Sequence, residues 1–142
     1  ELVGLVFLLV YNLIQAGGLP WTWLLVPPLL VFQFMVLSGV ALLLSAVGVY
    51  MRDLRELVAV AMMVGLYVAP VLYAEEMAPS WLGGWIALNP ASYLVWPFRD
   101  ACYSGRMVHP EAWTVMVAAA IVMPFIGGRV FARLRPHFAN AL

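Results

Sequence analysis

The sequence predicts an all-α, polytopic transmembrane domain with a re-entrant helical hairpin before its last span. Three observations carry that prediction: an apolar composition, apolar runs of membrane-crossing length, and the way arginine is shared between the ends of those runs. The chain has 142 residues, of which 65% are hydrophobic and 10% charged, against roughly 25% charged in an ordinary soluble domain. Mean hydropathy is +0.99. A soluble fold of this size cannot hide so much apolar surface, so lipid must be the solvent.

Composition also excludes several functions. Formal charge balances at zero and every cation is an arginine. No basic footprint for nucleic acid is present, and no phosphate-binding loop ending in Gly-Lys-Ser/Thr can be built without lysine. The one cysteine, Cys102, rules out an internal disulfide and any multi-cysteine metal site. The chain opens at Glu1 inside an apolar run that lacks the basic region and small-residue cleavage site of a signal peptide. It is expected to be the C-terminal part of a longer membrane protein.

A helical crossing needs about 20 apolar residues. Residues 2–16 are apolar apart from Asn12 and Gln15 and stop at Gly17-Gly18-Leu19-Pro20. Pro27-Pro28 suits a helix start, where a missing N–H costs nothing, and predicts a second span over 28–50. Ser38, Gly39, Ala41, Ser45, Ala46 and Gly48 make that span small-faced, as helices that approach closely in lipid are. The charged stretch MRDLRE, residues 51–56, reads as a tight turn, with Asp53 and Glu56 at capping-box spacing. A third span follows over 57–74. The last span is expected over 111–128, opened by Glu111 at the positive end of its dipole. Residues 129–142, with Arg129, Arg133 and Arg135, then form a cytoplasmic tail.

Residues 75–110 decide the topology. If they crossed the bilayer, arginines would divide four to three between the two faces. If they dip in and return, Arg52, Arg55, Arg129, Arg133 and Arg135 share one face against Arg99 and Arg106. Five to two fits the positive-inside rule better. Pro90 and Pro97 each remove a backbone donor, and Gly83-Gly84 and Asn89 loosen the chain further. Broken backbone at membrane depth requires cover from protein or a water-filled path. A re-entrant hairpin on the outer face satisfies both arguments, and it places all six tryptophans at or near that face.

The candidate path-lining residues are therefore Asn89, Pro90, Tyr93, Trp96, Arg99 and Asp100, with Glu75 and Glu76 at the mouth. Tyr93 and Trp96 stand three apart and can stack on sugar rings; an interfacial aromatic belt is the plainer role for the other tryptophans. Arg52, Asp53, Arg55 and Glu56 are the candidate contact with an energy-supplying partner, and a capped connector is the plainer reading. Cys102 and His109 lack a third orienting group and do not make a nucleophile pair. His137 has no metal partner in sight, and the eight methionines suit packing or lipid contact.

The order of pieces resembles a known family. GVYMRDLREL follows one span, APVLYAEEMAP ends the next, LNPASYLVWPFRDACYSG comes after it, and FARLRPHFAN closes the last. Together they resemble the permease subunits of type-2 ATP-binding-cassette exporters, in the branch that exports O-antigen, capsule or teichoic-acid polymers. The resemblance covers nearly the whole chain. It implies a subunit in the bacterial plasma (inner) membrane, a second copy of the permease, a separate nucleotide-binding ATPase subunit, a lipid-linked glycan as cargo and membrane lipid around it. It implies no cofactor and no catalysis within the chain. A permease of the same architecture exporting drugs or another small amphiphile is the alternative, and a non-transporting membrane scaffold is a second one.

Overall fold

The computed structural model describes residues 10, 21–51, 53–69, 79 and 81–136. Among these the chain is helical, without strands. A 3₁₀ turn, Trp21–Leu25, leads into α1, Val26–Gly48; α2 is Leu54–Val68, α3 is Gly83–Leu88 and α4 is Ser92–Arg99. A π-helical turn, Asp100–Ser104, follows, and α5 is Pro110–Leu134. The expected span over 2–16 lies outside the described residues apart from Val10.

Among the described residues two stretches are long and apolar enough to cross a bilayer, Trp21–Gly48 with 28 residues and Pro110–Leu134 with 25. At 1.5 Å per residue the latter is roughly 37 Å long, more than the ~30 Å hydrocarbon core. Pro27 sits in the first turn of α1, as the proline-start argument expects, and α5 opens at Pro110 with Glu111 in its first turn. Helix α5 continues through Arg129 and Arg133, whereas the sequence reading ended the span at 128; these two arginines do not stop a helix whose carbonyl end they complement.

These two helices form the main packed pair. The buried positions of α1 are Val26, Leu29, Val36, Gly39 and Ala46, and those of α5 are Ala112, Met116, Ala120 and Gly127. Their spacing puts each set on one stripe. Val26 and Leu29 pack with Met116. Further along, a Cβ on Gly39 would meet the backbone of Met123 and Pro124, and one on Gly127 would meet the carbonyl of Gly39. Helix association in lipid depends on such close approach, because burial from lipid gives little drive. Of the six small residues singled out in α1, Gly39 and Ala46 are buried at this crossing.

Both contact series ascend together, so α1 and α5 run parallel. Their first turns share one end and their last turns share the other. Arg55, just beyond α1, therefore lies at the same end as Arg129, Arg133 and Arg135. Ile86, Trp96 and Ala112 form a second buried cluster, with Leu82 and Tyr93 against it, which fixes α3 and α4 at the end where α5 starts. All six tryptophans accordingly gather at that end.

The outward faces are apolar. Phe34 on α1 and Ile121 and Phe125 on α5 are exposed, and α2 has no buried residue at all, with Leu57, Val60, Met62, Met63, Val64 and Tyr67 open. Such faces suit lipid or neighbouring helices.

Two local expectations are corrected. Asp53 is the residue before α2, but its side chain caps nothing; the turn is held by backbone bonds from Glu56 and Leu57 to the Asp53 carbonyl. Asp53 has helical φ and ψ (−80°, −6°), so its carboxylate does not turn back as a capping box requires. Pro97, expected to break the chain, lies inside α4. Only the bond to the Tyr93 carbonyl is lost, and the helix continues because the Asp100 N–H reaches the Pro97 and Trp96 carbonyls. The real interruption is at Asn89, whose ψ of 117° is the extended geometry that a following proline imposes.

Candidate functional site

The segment from Gly83 to His109 is built around two side chains that satisfy backbone groups. Asn89 sits in the break between α3 and α4. Its Oδ1 accepts the N–H of Ala91 at 3.0 Å, and its Nδ2 donates to the Gly65 carbonyl of α2 at 3.0 Å. The first bond shapes the turn and the second ties it to another helix. Pro90 is exposed at the tip of this turn.

Asp100 is the second and the larger centre. It is only 1% exposed. Its Oδ2 accepts the backbone N–H groups of Val108 and His109, both at 2.9 Å, and the indole N–H of Trp113 at 3.2 Å. Nδ1 of His109 faces Oδ1 at 3.1 Å, the geometry of an Nδ1–H donor on a carboxylate. Helix α5 begins without a capping side chain of its own. The donors at and just before its start are met by a carboxylate from the preceding turn.

Trp96 lies between Tyr93 and His109. Its ring is 5.1 Å from the imidazole at an interplanar angle of 7°, and 5.0 Å from Tyr93 at 84°, edge to face. The tryptophan is buried, while the Tyr93 hydroxyl donates to the Ala87 carbonyl at 3.0 Å from an exposed position. Arg99 is half-buried at the last turn of α4. One further bond closes the region: the Thr22 hydroxyl, in the 3₁₀ turn before α1, donates to the Ala101 carbonyl at 2.7 Å and is fully buried.

Of the candidate path residues, Trp96 and Asp100 thus converge on His109, and Tyr93 packs against Trp96. Asn89 and Pro90 lie apart at the α3–α4 turn, and Glu75 and Glu76 lie outside the described residues. His109 is the residue that sequence reasoning set aside. The available signal was the uncapped run Met107-Val108-His109 before Pro110, which requires an acceptor from elsewhere in the chain. Cys102 is buried beside this region and burial pushes its thiol above the ordinary value, the opposite of what a nucleophile needs.

At the opposite end, Asp53, Arg55 and Glu56 are exposed. Arg55 and Glu56 line an open cleft of about 590 Å³ together with Leu44, Gly48, Met51, Leu54 and Val58. Arg52 lies outside the described residues.

With this geometry in place, known proteins similar to the chain bear on the readings. Two O-antigen export system permease proteins RfbA of Klebsiella pneumoniae align with 99% of the chain, at 29% and 26% identity over 140 residues. The chain is similar, end to end, to O-antigen export permeases. It spans about half the length of these curated relatives, 52% in each case. No family model matches it, and no solved structure does. The relatives' name, an O-antigen export permease, supports the exporter-permease resemblance carried by the sequence pieces and favours neither the drug-export nor the scaffold alternative.

Proposed function

We propose that this chain is part of the permease subunit of an ABC exporter that moves a lipid-linked polysaccharide out of the cytoplasm. The observation that carries the reading is similarity to O-antigen export permeases along 99% of the chain. Two parallel apolar helices with their arginines at one end support it. In this reading the end bearing Arg55, Arg129, Arg133 and Arg135 is cytoplasmic, in a bacterial plasma (inner) membrane. Residues 75–110 form the outer re-entrant segment, and a second copy of the permease completes the path. A separate ATPase subunit supplies the energy. The exposed, charged wall of the cleft at Arg55 and Glu56 is its contact. Within the outer segment the path face falls to Asn89, Pro90 and the exposed edge of Tyr93, since Trp96 and Asp100 are buried within the chain.

The test is depletion of the full-length protein in its own cells. Surface glycan should fall while lipid-linked glycan accumulates inside. Unchanged surface glycan on depletion would rule the reading out.

A further inference from the structure

We infer that Asp100 is a positioning residue for export, which never meets the glycan but ties the outer segment to the start of α5 and so holds the turn whose next residue, Ala101, takes the Thr22 hydroxyl ahead of α1, so that the three move as one body. The inference rests on the export reading for its purpose, but its geometry stands without it.

Three pieces of chain meet at two consecutive residues. Asp100 takes two backbone N–H groups ahead of α5, the imidazole of His109 and the indole of Trp113. Ala101 takes the Thr22 hydroxyl from the turn before α1, across 79 positions of sequence. Beneath this joint Val26, Leu29, Ala101, Cys102 and Met116 form one buried cluster drawn from the same three pieces. A carboxylate that accepts several N–H bonds in a buried setting makes strong, charge-assisted contacts. Its removal strands every donor at once. The tie to α2 is of another kind. Among the described residues helix α2 has none buried, and the side-chain bond that reaches it from the outer segment, Asn89 Nδ2 to the Gly65 carbonyl, is neutral. A conformational cycle that opens a path beside this segment therefore separates it from α2 more readily than from α1 and α5.

Spin-label distances in the full-length permease, reconstituted in lipid with its ATPase subunit and with Cys102 and any other native cysteine replaced, read this directly. Labels at Tyr103 and Phe34 report the joint, and labels at Tyr103 and Met63 report the tie to α2; all three positions are exposed. The 103–34 distribution should stay fixed between the nucleotide-free and ADP-vanadate states, while the 103–63 distribution shifts. Asp100→Asn keeps the size but loses the charge, and it should broaden the 103–34 distribution before any nucleotide is added. Asp100→Glu should restore part of the narrow distribution. A 103–34 distance that shifts with nucleotide as far as 103–63, or an Asp100→Asn distribution as narrow as the parent's, overturns the inference. The nucleotide-free comparison needs no cargo, so its failure is separable from a failure of the export reading.

Discussion

Replacing Asp100 by alanine strands the N–H groups of Val108 and His109 and the Trp113 indole in a partly buried joint. An unsatisfied buried donor costs about 1–3 kcal/mol, so this substitution should lower the thermal midpoint of the purified full-length protein more than any at exposed Arg106. Trp96 separates packing from recognition. Its stacking on His109 and edge contact with Tyr93 are internal, so Trp96→Leu should cost about 0.5–1.5 kcal/mol of stability per lost ring pair. A defect in export with an unchanged melting curve would instead place that ring on the cargo. Cys102 offers a pH test. Burial raises its thiol, leaving less thiolate at neutral pH than an exposed cysteine has. Maleimide labelling of Cys102 should be slow at neutral pH and accelerate as pH rises, whereas Tyr103→Cys in a Cys102→Ala background should label at once.

At the scale of elements, the α1–α5 crossing contains its own control. A methyl group on Gly127 collides with the Gly39 carbonyl, while at the adjacent Gly128 it meets nothing. Gly127→Ala should therefore destabilise by about 1–3 kcal/mol through overpacking. Gly128→Ala should be neutral or stabilise by about 0.5–1 kcal/mol, since alanine suits a helix interior better. Equal melting temperatures for the two variants would contradict the crossing. Much of this element layer is legible in the sequence. Pro27-Pro28 for α1, Glu111 for α5 and apolar length for both point to within two residues of the observed helix starts, because lipid imposes a length, helix starts tolerate proline and their positive end suits a carboxylate. The small residues of α1 announce a close contact without naming the partner. Gly39 meets Gly127 rather than a neighbouring span only through the parallel run of the two helices, which depends on contacts nearly 90 positions apart. The Asp53–Glu56 spacing misleads because a capping box also needs an extended backbone at its first residue, and spacing does not report φ and ψ. The π-helical turn at Asp100–Ser104 leaves no signal in local propensity, and with it the role of Asp100 stays hidden.

At the scale of the molecule, arginine counting reads further than any motif. The five arginines assigned to one face come from the connector after α1 and from the end of α5, and the parallel packing of those helices brings the four described ones together. The expected consequence is a two-sided labelling pattern. In intact cells an impermeant maleimide should modify Tyr103→Cys, and Arg133→Cys should react only after lysis; the opposite pattern would invert the orientation. Function is less legible than the helices, because the chain spans about half the length of the curated relatives it matches. The measurement that bears most directly on the account is ATP-driven transfer in reconstituted vesicles. These would hold the full-length permease with its ATPase facing outward and a lipid-linked glycan supplied in the outer leaflet. Export predicts that ATP moves the glycan into a compartment shielded from an added lectin or glycosidase, and that omitting ATP leaves it exposed. Glycan that stays fully exposed with ATP present, in vesicles whose ATPase is hydrolysing, would contradict it.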